Sequence, residues 1–141
     1  MKRVTLSEAE MRAIARGQFV RVELGGWVAI GEGQHAKSAF VGQEGPTVRA
    51  YYNVCQHQPV ELDMPLEPGE RAPRVRRAPM AEDGIHLLCH SHGALYRPAD
   101  GRCVLGPCYG ASLVPVAIEE SAPGEKVTLL VGERAPARPV E

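Results

Sequence analysis

Cys55-Gln56-His57 and Cys89-His90-Ser91-His92 are the residues of this chain whose types and spacing could do chemistry. Each group sets a thiol and an imidazole on one short stretch of backbone. Thiolate sulfur and imidazole nitrogen are donors that hold zinc and iron. Three readings follow from the donors alone. All four could close on one zinc ion, because two sulfurs and two nitrogens make a common tetrahedral set. The two thiolates could instead hold one iron and the two imidazoles a second, joined by sulfide. Or each could be an isolated buried thiol or a hydrogen-bonded histidine, the usual fate of such residues singly. Four of them in two matched pairs weigh against the third reading.

The neighbouring residues favour the second. The run Ala50-Tyr51-Tyr52-Asn53-Val54 leads into Cys55, and Gly93-Ala94-Leu95-Tyr96 follows His92. Asp100-Gly101 and Gly106-Pro107-Cys108 come next. Zinc sites more often use C-x-x-C or H-x-x-x-H pairs and do not require these additions. The whole set resembles the Rieske 2Fe–2S family, from about Phe19 to Val131. The resemblance implies an all-β fold, an antiparallel β-sandwich with a small cluster-binding subdomain. It implies a Rieske-type 2Fe–2S cluster with Cys55 and Cys89 on the buried iron and His57 and His92 on the outer one. Gly93, Tyr96 and Pro107 would line the cofactor. His90, inside the second pair, is then a surface neighbour and not a ligand.

Charge explains why this ligand set suits electron transfer. Two ferric ions, two sulfides and two thiolates sum to zero. An electron adds to that centre more easily than to the dianion that four thiolates would give. High-potential members of the family carry further donors and a bridge. They have a Ser after the His-Gly step, a Tyr three residues after the Gly, and a disulfide between the cluster loops. Here Ala94 stands at the first position, Tyr96 at the second, and Val60 and Ser91 at the disulfide positions. The expectation is a potential below the respiratory type, toward the ferredoxin end.

The elements that must position these residues read as strands. The chain has 141 residues, 44% of them apolar, with 15 Gly and 12 Pro. That supports one turn-rich domain with one core. Residues 1–17 read as a lead-in with two readings: a short helix from about Glu8 to Ala15, for which Ser7-x-x-Glu10 has the form of a capping box, or an irregular approach to the first strand. Val20, Val22 and Leu24 alternate with Arg21 and Glu23, a half-buried strand. Gly25-Gly26 predicts a hairpin turn, with Trp27 to Ile30 returning. Further strands are expected over 36–43, 47–54, 85–89, 94–97, 102–105, 113–119 and 126–131. Residues 62–79, rich in Pro and carrying Arg71, Arg74, Arg76 and Arg77, read as a long irregular loop. Two readings of those arginines are a solvated loop and a docking patch for an acidic partner. Cys103 and Cys108 are close enough in sequence to pair across a turn; reduced, packed thiols are the favoured reading. Residues 133–141 read as a flexible tail.

The resemblance implies a one-electron carrier, a ferredoxin-like protein serving an oxygenase system. Such a protein makes and breaks no substrate bonds itself and is not an enzyme. Its partners would be a flavin-dependent reductase and a terminal oxygenase or other oxidoreductase. A net charge of −1 gives no drive toward nucleic acid. No apolar run approaches the roughly 18 residues of a membrane span. No apolar stretch of a signal peptide follows Met1-Lys2-Arg3. A soluble, cytoplasmic protein without a membrane anchor is therefore expected. The length leaves no room for a catalytic domain with a mononuclear 2-His-1-carboxylate iron. Two alternatives stay open: a small Rieske subunit of a larger oxidoreductase, and a non-redox or zinc-binding module.

Overall fold

The computed structural model describes residues 2–31, 33–119, 121–122 and 124–132. Along them run β1 (Lys2–Thr5), α1 (Glu8–Ala15), β2 (Val20–Gly31), β3 (Gln34–Glu44), β4 (Thr47–Tyr52) and β5 (Arg76–Arg77). Then come β6 (Leu87–Leu88), β7 (Leu95–Tyr96), β8 (Cys103–Leu105), β9 (Ala117–Ile118) and β10 (Thr128–Val131). They form three sheets, ordered β1-β10-β9, β4-β3-β2-β5 and β6-β7-β8. Every strand pairing is antiparallel. The all-β class expected from the sequence is what the chain adopts. Among the described residues no helix is long and apolar enough to cross a membrane.

The four-stranded sheet is a wall with a core on each face. Side chains alternate faces along a strand, and in β3 and β4 both faces are buried. Ala39 and Val41 of β3, with Ala50 and Tyr52 of β4, enter one core. Phe40 and Tyr51, their neighbours in sequence, enter the other. The first core is closed by Leu6, by Ala13 and Ile14 of α1, and by Leu129 and Val131 of β10. The second is closed by Leu87, Tyr96, Cys103 and Leu113, beneath the sheet β6-β7-β8.

Helix α1 begins where the capping box predicts. The Ser7 hydroxyl accepts from the Glu10 N–H at 3.1 Å, and the Glu10 carboxylate accepts from the Ser7 N–H at 2.8 Å. Two free N–H groups of the first turn are satisfied in this way. β1 lies ahead of α1, in the segment read as a lead-in, and pairs Lys2 with Val131 through Thr5 with Thr128. Its mostly exposed side chains carry no alternation that would mark it in advance.

One turn differs from expectation. Gly25 and Gly26 do not reverse the chain, and β2 runs straight through them. Both have positive φ, 78° and 139°, a conformation that serves a bulge as well as a hairpin turn. The register against β3 shifts between Glu23 and Val28, and the reversal comes later, between Gly31 and Gln34. The 62–79 connection is largely irregular, as expected, but its end is tied down. β5 pairs with Val20 and Arg21 of β2, and Met80 bridges Leu87. The flexible tail expected over 133–141 lies outside the described residues.

Candidate metal centre

Two loops carry the Cys/His pairs, and each is closed by its own backbone. After β4 the Cys55 N–H donates to the Val60 carbonyl at 2.8 Å, leaving His57 on the turn between them. After β6 the Cys89 N–H donates to the Ala94 carbonyl and the Gly93 N–H returns to the Cys89 carbonyl, both at 2.9 Å. His92 is thereby held out at the loop tip. The loops are also joined to each other. The Leu62 carbonyl accepts the His90 N–H at 2.9 Å and lies 2.5 Å from His90 Nδ1. His90 is thus a brace between the loops.

The pairs divide by burial. Cys55 and Cys89 are 1% and 0% exposed, and the two thiols are close enough to influence each other's ionisation. His57 and His92 are exposed, with ring centroids 4.6 Å apart and planes at 82°. Thiol meets thiol inside, and imidazole meets imidazole outside. Among the described residues no three His, Cys, Asp or Glu side chains gather around one ion position. A single tetrahedral ion needs all four donors on one point, whereas a two-iron cluster needs two donors on each iron. The two-and-two arrangement fits the cluster.

Tyr96 reaches this site from β7. Its hydroxyl lies 3.4 Å from Cys55 Sγ and accepts the Gln56 N–H at 2.9 Å. It also lies 3.1 Å from Cys108 Sγ, a neighbour that the sequence did not suggest. Burial works against ionisation of Cys55. Donors from Tyr96 and from the His57 and Gln58 backbone outweigh it, so this thiol sits below its ordinary pKa. Burial also raises Cys89, and neighbouring Cys55 adds to the rise.

The loop bearing Pro107 packs against Ala94, just after the second pair, through Gly106. A side chain at Gly106 would have its Cβ 2.9 Å from Ala94 Cα, with φ at +113° besides. Only glycine lets this loop lie against the backbone beside Gly93. Pro107 itself is exposed. Val60 and Ser91, at the positions of the family's loop-to-loop disulfide, line a common cleft with His90 and Trp27.

A buried polar cluster anchors the first loop, and reading the sequence missed it. Asn53, fully buried, accepts the Leu62 N–H at 2.7 Å and donates to Asp63 at 2.9 Å and Ser38 at 3.0 Å. Arg21 donates to both oxygens of Asp63 at 2.9 and 3.0 Å, and lies 3.0 Å from Glu61. Arg76 reaches Asp63 at 3.1 Å. Burial opposes the charge on Arg21, and Glu23, Asp63 and Glu61 more than offset it, so its pKa is raised. Arg76 is thus bound to the fold, while Arg71, Arg74 and Arg77 are exposed. The half-buried strand expected here put Arg21 on the open face, whereas the structure buries it along with Val20 and Val22, its charge paired with Asp63 and Glu61.

The family model of the Rieske [2Fe-2S] domain matches residues 5–120. Among solved structures the chain is similar to the terminal oxygenase of carbazole 1,9a-dioxygenase from Novosphingobium sp. KA1, at 20% identity with a TM-score of 0.47. That likeness covers 92% of this chain and 37% of the other, so the chain spans little more than a third of that protein. No curated protein matches.

Proposed function

From its membership of the Rieske [2Fe-2S] domain family, to which this chain belongs, we propose that it is a one-electron carrier built around Cys55, His57, Cys89 and His92. The 2Fe–2S cluster of the family supplies, when bound, a centre that takes up and releases a single electron. The observation that carries the ligand assignment is the division by burial: paired thiols inside, paired imidazoles outside. Cys55 and Cys89 would hold one iron from the buried side. His57 and His92 would hold the other from the surface, where a partner protein can come close. Gly93 and Pro107 shape the loops around the cluster, and Tyr96 offers a hydrogen bond to the Cys55 sulfur.

The partners we propose are a flavin-dependent reductase and a terminal oxygenase or other oxidoreductase. The chain would pass electrons between them as a soluble, cytoplasmic ferredoxin-like protein. Ala94 supplies no hydroxyl, and Val60 and Ser91 supply no disulfide. With Tyr96 as the remaining donor, the potential should fall below the respiratory type.

Iron and acid-labile sulfide analysis, with an EPR spectrum of the reduced protein, tests the reading. Two irons and two sulfides per chain are expected, with the low average g-value of a mixed Cys/His cluster. A colourless protein containing zinc would overturn it.

A further inference from the structure

Cys103 and Cys108 are left over once four other residues hold the cluster, yet they lie next to it. Both are free thiols. Cys108 Sγ is 3.0 Å from Cys103 Sγ. A disulfide needs about 2.05 Å, so about 1 Å of approach would join them. Cys103 is fully buried, and Cys108, at 9% exposure, lies at the rim. Gly106 and Gly110 flank Cys108, and Tyr109 beside it is 73% exposed. A reagent in solution therefore meets Cys108 first, with Cys103 directly behind it.

The pair is connected to the proposed ligand Cys55 through one hydroxyl. Tyr96 Oη carries a single proton and faces two sulfurs, Cys55 at 3.4 Å and Cys108 at 3.1 Å. It already accepts the Gln56 N–H and keeps one lone pair. A thiol at Cys108 can donate to Cys103 or to that lone pair; in the second case the tyrosine proton is left to Cys55. Donation into a hydroxyl polarises it and strengthens the bond that it donates in turn. A disulfide has no S–H. It can only accept, and so competes with Cys55 for the same proton.

We propose that Cys103 and Cys108 are a dithiol modification site, oxidised by small-molecule disulfides, whose state is read by the cluster through Tyr96. The link to the cluster rests on the function proposed above, whereas the thiol chemistry does not. The Cys108 thiolate attacks one sulfur of the small disulfide, forming a mixed disulfide and expelling a thiolate. The Cys103 sulfur then attacks Cys108 and expels the second. Two protein thiols and one small disulfide become one protein disulfide and two small thiols, so atoms and electrons balance. Burial, with Cys108 close by, holds the Cys103 thiol up at about 11. Hydrogen bonds to cluster sulfur favour the more negative, reduced state. Weakening the Tyr96 bond should lower the potential.

The test treats the purified holoprotein anaerobically with oxidised glutathione. Alkylation under denaturing conditions and peptide mapping should find Cys103 and Cys108 bridged, with the mass of two hydrogens lost. In Cys103→Ser, glutathione should stay attached at Cys108. Voltammetry should show a lower midpoint in the treated wild type, reversed by a dithiol reductant. Treated Tyr96→Phe and untreated Cys103→Ser should show no such shift. Full alkylation of Cys103 and Cys108 after treatment would overturn the modification site. A bridge that leaves the midpoint unchanged would overturn the link to the cluster. A sample without iron would sink the carrier reading and that link together, while the thiol mapping would still decide the pair.

Discussion

The sheet β4-β3-β2-β5 carries a core on each face, and the two are made differently. The first is mostly aliphatic and largely strand-built: Val20, Val22, Leu24, Val41, Leu129 and Val131 all belong to strands. The second contains all four cysteines of the chain, with Phe19, Phe40, Tyr51 and Tyr96, and much of it is delivered by loops. One side of the wall is dry packing that any similar set of apolar residues could supply. The other is packing whose members also have chemistry. The sheet lets the second depart from regular structure because the first supplies rigidity through the shared strands β3 and β4.

The sharpest way to break this comparison is to remove a ligand. Cys89→Ser should abolish the cluster, with complete loss of visible absorbance. It should leave the strand signal in far-ultraviolet circular dichroism, because no residue of the first core is touched. Loss of both signals together would mean that the two cores are not separable. Next in size is Asp63→Ala, which removes the carboxylate that Arg21 and Arg76 share. Removing one partner of a buried ion pair costs about 3–5 kcal/mol, and this pair lies near the lower figure because Arg76 reaches solvent. Urea unfolding should show the loss, and the variant should release iron faster, since Asp63 anchors the loop bearing Cys55.

Leu129→Ala acts on the first core alone. It should cost about 2–5 kcal/mol, read by denaturant midpoint, while the cluster potential stays that of the wild type. Tyr96→Phe is its mirror image. It removes one hydrogen bond to a charged sulfur, on the order of 1 kcal/mol between redox states, and should lower the potential by some tens of millivolts with nearly unchanged stability. An unshifted potential would mean that the hydroxyl does not serve Cys55. The smallest effect belongs to Ser7→Ala, which removes the cap of α1 for about 1 kcal/mol. It should appear in thermal unfolding and leave iron binding untouched.

The two cores also differ in how far they could be read in advance. The capping box placed α1 at Glu8–Ala15, and the alternation of Val20, Val22 and Leu24 placed β2. Such signals are local, because the period of a strand or helix is written in consecutive residues. The Cys/His pairs were legible for another reason: donor types at fixed spacing are rare. Gly25-Gly26 misled because positive φ suits both a bulge and a turn, and only the partner strand decides between them. Tyr96 between two sulfurs, Asn53 beneath the first loop and Asp63 between two arginines could not be read. Each depends on residues between 9 and 42 positions away in the chain.

The pairing of β1 with β10 has a consequence for the order of assembly. β6, β7 and β8 are neighbours in sequence as well as in space, so their sheet can close by short loops. The pairing of Lys2 with Val131 spans almost the whole described chain, and contacts so distant form late and slowly. As the ribosome releases the chain, both cysteine pairs emerge before β10 can complete the first core. Ligands would then wait on an unfinished scaffold. The time between synthesis of Cys89 and arrival of β10 is the interval in which iron delivery and thiol oxidation compete for the same sulfurs.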